Sequence, residues 1–160
     1  MDKLLKLISE NSSFSTAQLA MILGEPEDYI AAQIKEYEES GVIKGYQATV
    51  NWDNVPDAGV MALIELKVTP KKETGFDEIA QRIMMFEEVS SVYLMAGTYD
   101  LLVTVKGETI QDVSSFVSKK LSALEGILST ATHFLLKRYK ESGLNMIDFN
   151  NQKDGREMVL

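Results

Sequence analysis

The sequence contains no cysteine and a single histidine, His133, among its 160 residues. The missing cysteine excludes disulfides, thiolate metal ligands and a cysteine nucleophile. A single histidine also excludes a histidine-rich metal cluster, and the chain shows no convincing nucleophile–base pair. The sequence therefore predicts no catalytic residue, no metal and no cofactor.

Positive charge is scarce, because 16 lysines and arginines stand against 24 acidic residues and the formal charge is −8. The field of the whole molecule opposes nucleic acids and anionic membranes, so any DNA binding has to be local. Long apolar runs are also missing: no stretch approaches the roughly 20 residues of a membrane span, and the start, MDKLLKLISEN, has no leader pattern. We expect a soluble, cytoplasmic protein with no membrane partner.

Hydrophobic residues make up 45% of the chain, which is enough to build real cores. Apolar residues recur at helical spacing in the first part and alternate in the second. The polar stretch NWDNVPD separates the two parts as a connector. We predict a first domain at 1–50, a connector at 51–57, a second domain at 58–144 and a polar tail at 145–160.

The first domain is predicted to contain three helices. The first lies at about 2–10, the second begins at the N-cap Ser15 and stops at Gly24, and the third ends at Gly41. A turn of a few residues between the second and third is typical of a helix-turn-helix unit. The segment 42–50, VIKGYQATV, alternates around a Lys-Gly turn and predicts a two-stranded wing.

The second domain is predicted to be an α+β sandwich. Val60 to Val68 alternate as a strand, and the order that follows is helix, two hairpin strands, helix and a last strand at 127–136. This β-α-β-β-α-β order is the ferredoxin-like arrangement, with two helices on one face of a four-stranded antiparallel sheet. The other face, with Met61 and Leu102, is too apolar to leave in water, so we expect two sheets to pair in a homodimer.

The joint between the hairpin strands, Ala96 to Asp100, is the best candidate for a ligand site. Gly97 can adopt the positive φ of a tight reversal, and a glycine loop exposes backbone N–H groups. The Asp100 carboxylate accepts from an ammonium or from loop amides, so the loop suits a zwitterion such as an amino acid. The alternative is a plain hairpin in which Asp100 only satisfies its own turn.

Three strings carry a family resemblance: ESGVIKGYQATVN at 39–51, AGTYDLLVTVKG at 96–107 and LEGILSTATHFLL at 124–136. In this order and spacing, residues 1–140 resemble the Lrp/AsnC family of transcriptional regulators. The resemblance implies a dimer built through the sandwich domains, often assembled into octamers. It also implies a small effector, commonly an amino acid, bound between dimers.

Carried over residue by residue, the resemblance implies effector contacts from Gly97, Thr98, Tyr99 and Asp100. Thr132, in the last strand, is a further candidate. The family often has an acidic residue where this chain has Thr98, which is a departure from the usual effector site.

The DNA-binding side departs further from the family. Similar proteins usually carry arginine or lysine where this third helix has Ala32, Gln33 and Glu36, and residues 1–50 hold four lysines against eight acids, a net charge of −4. Since cations at the phosphates supply most non-specific affinity, DNA binding should be weak, although an octamer presents many heads to one DNA. The remaining candidate contacts are Gln33, Lys35, Lys44 and Gln47.

Three functions compete. The first is a transcriptional regulator in which an effector, an amino acid, changes DNA affinity. The second is an effector sensor that does not bind DNA and acts on a protein partner, which the acidic first domain favours. The third is an enzyme resembling siroheme decarboxylases of the same fold. Because His133 stands alone, we predict that the protein is not an enzyme.

Overall fold

The computed structural model describes residues 2–73 and 75–147 and divides into two compact units. One unit joins the chain up to Asn51 with the segment that follows Arg138, and the other spans Trp52–Arg138. The boundaries of this division differ from the predicted ones: residues 52–57 of the predicted connector join the second unit, and residues 139–144 of the predicted second domain join the first. Residues 148–160, which form most of the predicted tail, lie outside the described residues.

The three predicted helices of the first unit are present: α1 (Lys3–Glu10), α2 (Thr16–Leu23) and α3 (Glu27–Glu39). Ser15 caps α2 in a reciprocal capping box with Gln18, and Gly24 ends it in the left-handed conformation. The buried side chains between the helices are Leu4, Ile8, Leu19, Ala20 and Ile30. No helix in the described part of the chain is long and apolar enough to cross a bilayer.

The predicted wing is wrong, because residues 42–50 contain no strand. Most of these side chains are exposed, so pairing them would bury little apolar surface, and an isolated hairpin is marginal in water. The described β-pair of this unit lies instead near the chain's other end, between β5 (Lys140–Glu141) and β6 (Leu144–Asn145). The turn that joins them, Ser142-Gly143, has positive φ at both residues, as a tight hairpin turn requires.

The second unit confirms the predicted β-α-β-β-α-β order and the α+β class. Its elements are β1 (Val60–Val68), α4 (Asp77–Met84), β2 (Val89–Leu94), β3 (Leu101–Gly107), α5 (Ile110–Phe116) and β4 (Ile127–Phe134). The antiparallel sheet has the order β2-β3-β1-β4. A π-helical segment, Val117–Leu121, continues α5.

The two faces of the sheet differ as the alternation predicts. The buried residues of β1 are Ala62, Ile64, Leu66 and Val68, and they pack with buried residues of α4, α5 and β3. On the opposite face Met61, Leu63, Leu102 and Thr104 are only partly buried in the single chain. β1, β2 and β3 terminate at the same end of the sheet. There Leu66 pairs with Leu101, and Leu101 pairs with Leu94.

Candidate functional site

The loop between β2 and β3, Met95 to Asp100, lies where the sequence predicted the joint. Its two ends are tied to each other and to the sheet. The N–H of Met95 donates to the carbonyl oxygen of Asp100 (2.8 Å), and the N–H of Asp100 donates to the carbonyl oxygen of Leu66 in β1 (2.9 Å). The two ends of the loop are therefore fixed, and its middle residues project from this end of the sheet.

The Asp100 carboxylate anchors the loop to β1. Its Oδ2 accepts the backbone N–H of Val68 at 2.9 Å, whereas Oδ1 has no partner among the residues that the structure describes. The Asp100 side chain thus accepts a hydrogen bond from the neighbouring strand β1 and not from its own turn. This differs from the plain-hairpin alternative. One carboxylate oxygen remains available to an incoming donor.

The middle of the loop exposes unpaired backbone donors. Within the described chain the N–H groups of Ala96, Gly97, Thr98 and Tyr99 have no hydrogen-bond partner. Gly97 does not have the positive φ that a glycine permits. A Cβ built there would meet no heavy atom within 4 Å. Several adjacent N–H groups in a bent backbone form a concavity that attracts anions such as carboxylates.

Thr132 is not brought to this loop within one chain. It lies on β4 opposite Ile64 and shares the helix-covered face of the sheet. Since β1 separates β4 from β3, the two strands are about 10 Å apart. Within the described chain, Thr132 and the loop therefore lie on strands that are not neighbours.

The four candidate DNA contacts fall into two groups. On α3, Gln33 Nε2 donates to Glu36 Oε2 (3.2 Å), and Lys35 Nζ lies 3.7 Å from Glu39 Oε1 in an exposed ion pair. The other two, Lys44 and Gln47, lie exposed in the segment that was predicted to form the wing. Acidic neighbours on the same helix therefore engage both α3 candidates.

Sequence reasoning missed a polar clamp formed by Asp53 and Arg138. Asp53 Oδ2 accepts the backbone N–H of Arg138 (3.0 Å), and Oδ1 accepts from the guanidinium Nη1 (2.9 Å). The backbone N–H, the guanidinium bond and the positive charge of Arg138 hold the pKa of the Asp53 carboxyl below its usual value. The two residues are 85 positions apart, so no local spacing reveals them.

The clamp borders a cleft of about 480 Å³ on the sandwich unit, which Trp52, Lys106 and Leu136 also line. The Lys106 ammonium lies 6.0 Å from the centre of the Trp52 ring, at the outer limit of a cation–π contact. Elsewhere, His133 Nε2 lies 3.4 Å from Glu65 Oε1 on the helix-free face of the sheet. No group of three or more potential metal ligands occurs in the described ranges.

Comparison with known proteins places the sandwich unit in a family. The model of the Lrp/AsnC ligand binding domain matches residues 61–144. Among curated relatives, the uncharacterized HTH-type transcriptional regulator YugG of Bacillus subtilis (strain 168) is 45% identical over 142 residues, which cover 88% of this chain and 86% of the relative.

Solved structures share the fold at lower identity. A transcriptional regulator from Neisseria meningitidis, solved as a complex with L-Met, has a TM-score of 0.70 and 22% identity, and covers 91% of this chain and 97% of its own. AsnC of E. coli has a TM-score of 0.66 and 20% identity, with 88% and 95% of the two chains covered. The match of the domain model and the identity to YugG together show that this chain belongs to the Lrp/AsnC family.

Proposed function

We propose that this chain is a cytoplasmic transcriptional regulator that senses an amino acid at the loop between β2 and β3. One observation carries the effector site: four adjacent N–H groups, from Ala96 to Tyr99, are unpaired in the described structure on a loop whose ends are fixed. A carboxylate is the acceptor that such a cluster favours. Asp100 Oδ1, which is unpaired in the described chain, suits the ammonium group of the same ligand.

The proposed effector residues are Gly97, Thr98, Tyr99 and Asp100, with Thr132 supplied by another chain. The Neisseria meningitidis regulator of the same fold was solved with L-Met, which supports an amino acid as the ligand. The loop projects from the end of one sheet, and Thr132 lies on β4, two strands away from β3. The complete site is therefore proposed to form between chains.

We propose that the protein forms a homodimer through the helix-free face of its sheet and that dimers assemble into an octamer. Met61, Leu63 and Leu102 on this face remain partly accessible, and Tyr93 is 53% exposed. Covering such a face with a second copy removes apolar area from water on both chains. A second copy of this chain therefore accounts for the exposed apolar surface of this face.

The DNA-binding element in this proposal is α2 with α3, joined by the three-residue turn Gly24–Pro26. The curated relative named above, YugG, is described as an HTH-type transcriptional regulator, which supports DNA as the target. The proposed contacts are Gln33, Lys35, Lys44 and Gln47. An effector that alters the assembly would change DNA affinity through a coupling of about 1–3 kcal/mol.

A titration of the purified protein against its own upstream DNA tests this function. It is performed at about 50 mM and about 150 mM salt, because phosphate contacts weaken steeply over this range. Amino acids are added singly, and the Gly97→Val variant serves as the comparison. We expect specific binding that one amino acid shifts in the native protein, and a much smaller shift in the variant.

The variant is informative because a side chain at Gly97 has room in the isolated chain but stands among the unpaired amides. Its thermal unfolding should match that of the native protein. An equal effector response in both proteins would reject the loop as the site. Binding that no amino acid shifts would reject the regulator as proposed.

The second candidate is an effector sensor that does not bind DNA. It is favoured by the charge of α3, where Glu36 and Glu39 engage Gln33 and Lys35. An acidic helix repels phosphates, so this candidate predicts no DNA binding at either salt concentration while calorimetry detects amino-acid binding. Specific binding at about 150 mM salt would exclude it.

A further inference from the structure

The cleft beside the Asp53–Arg138 clamp has the size and the lining of a small-molecule site. Its volume of about 480 Å³ falls within the range of roughly 300–1,000 Å³ that is typical of ligand pockets. The large apolar side chains that line it are Trp52, Val55, Val60, Met61, Leu135 and Leu136. Trp52 is 42% exposed and Leu136 is 94% exposed, so both offer apolar surface to a ligand.

This cleft lies at the opposite end of β1 from the loop between β2 and β3. Val60, the first residue of β1, lines the cleft, whereas the N–H of Val68, the last residue of β1, binds Asp100 of the loop. At about 3.3 Å per residue, the two ends of β1 are roughly 25 Å apart. A ligand in the cleft is therefore a different molecule from any ligand that the loop holds.

The Arg138 guanidinium borders the cleft with unused hydrogen-bond donors. In the described chain, Nη1 donates to the Asp53 carboxylate and Nη2 donates to the Met61 sulfur. A thioether is a weak acceptor, and a guanidinium has further N–H groups beyond these two bonds. Because the side chain is only 11% exposed, water reaches these donors poorly. A ligand oxygen in the cleft would give them an acceptor.

Lys106 supplies a second positive charge to the cleft. Its ammonium lies 6.0 Å from the centre of the Trp52 ring and has no ion-pair partner among the described residues. Asp57 and Glu108, the acids of the cleft that do not belong to the clamp, are exposed to water and form no ion pair in the same part of the chain. The charged group closest to the indole is therefore a cation, which favours an anionic group on a ligand that covers the ring.

We propose that this cleft binds an aromatic carboxylate, with its ring against Trp52 and its carboxylate between Lys106 and Arg138. Ring stacking uses the exposed indole, and charge-assisted hydrogen bonds to the two cations hold the carboxylate. Since Trp52 begins the sandwich unit and Arg138 ends it, the ligand ties together the two points at which the chain leaves this unit. The site goes beyond the proposed function and does not depend on the loop.

Three matched probes test the ring and the charge separately on the full-length protein. Hydrocinnamate has a phenyl ring and a carboxylate, cyclohexanepropionate has the same carboxylate on a saturated ring, and phenylpropylammonium has the phenyl ring with a positive charge. We expect calorimetry to show hydrocinnamate binding at least about ten-fold tighter than phenylpropylammonium and about three-fold tighter than cyclohexanepropionate. The emission of Trp52, the only tryptophan, should change over the same range of hydrocinnamate concentration.

Two variants locate the probe in the cleft. Lys106→Gln removes the ammonium, so it should weaken hydrocinnamate binding at least about five-fold and leave phenylpropylammonium unaffected. Trp52→Leu removes the indole but keeps an apolar side chain, so the preference for the phenyl over the cyclohexyl ring should disappear. Lys67→Gln is the matched control, because it removes an exposed lysine near the other end of β1 and should not alter the affinity.

Circular dichroism and thermal unfolding establish that each variant is folded, and Lys106→Gln alone carries the test if Trp52→Leu is not. Equal affinities for hydrocinnamate and phenylpropylammonium would overturn the assignment of an anionic ligand. Hydrocinnamate binding that every folded variant leaves unchanged would lie elsewhere on the protein and would overturn the site. Absence of binding of all three probes to the native protein would overturn the inference as a whole.

Discussion

Removing the Asp53 carboxylate should destabilise the sandwich unit. The Arg138 side chain is 11% exposed and Asp53 is about one-third exposed. Asp53→Ala deletes two hydrogen bonds that involve a charged group. In the described chain it leaves the nearly buried guanidinium with the Met61 sulfur, 3.4 Å from Nη2, as its hydrogen-bond partner.

We expect the free energy of unfolding to fall by about 2–4 kcal/mol. This is less than for a fully buried ion pair, because water reaches Asp53. Asp53→Asn keeps an acceptor for the backbone N–H but loses the charge, so we expect about half this loss. Arg138→Lys keeps the charge and the backbone bond while losing the planar guanidinium, so its loss should also be intermediate.

Urea unfolding followed by tryptophan fluorescence measures this directly. Trp52 is the only tryptophan of the chain and lies next to Asp53 in a short 3-10 turn. Its emission therefore reports on the segment that the clamp holds. A matched control is Asp57→Asn, which alters an exposed carboxylate a few residues away and should change the midpoint little.

The pH dependence gives a second measurement with a definite sign. Since the folded pKa of Asp53 lies below the unfolded value of about 3.9, its contribution is complete above about pH 5 and disappears as the pH falls through the folded pKa. The stability difference between the native protein and Asp53→Asn should therefore be constant from pH 8 to 5 and shrink below about pH 4. No difference at pH 7, or one undiminished at about pH 2, would refute the reasoning.

Three further predictions concern other sites. Asp100→Ala should cost about 1–3 kcal/mol in chemical unfolding because it leaves the N–H of Val68 unpaired, whereas Asp100→Asn keeps an acceptor and should weaken effector binding at nearly native stability. Gly59→Ala should cost about 2–4 kcal/mol, since φ is +76° and the new Cβ would collide with a backbone carbonyl, while Gly97→Ala should be neutral in the same thermal scan. Lys35→Glu should weaken DNA binding and lower the slope of log affinity against log salt concentration by about 1. An unchanged slope would show that α3 does not lie in the DNA groove.

The loop position could be read from the sequence because its signals are local. Two apolar runs of strand character surround a short polar joint, and the structure has β2 and β3 on either side of it. The conformation of Gly97 could not be read, because a glycine only permits positive φ and the reversal here spreads over several bent residues. Alternation likewise suggested a wing at 42–50, but strands also need a surface on which to bury their side chains.

The sequence by itself determined the three N-terminal helices, the β-α-β-β-α-β order and the face of β1 that is buried, since each depends on a periodicity of neighbouring residues. Only the tertiary structure decided which groups meet. Asp100 binds the amide of Val68, 32 positions away, and Asp53 binds Arg138, 85 positions away. Such pairs leave no local pattern, because sheet register and strand order bring them together only after the chain has folded.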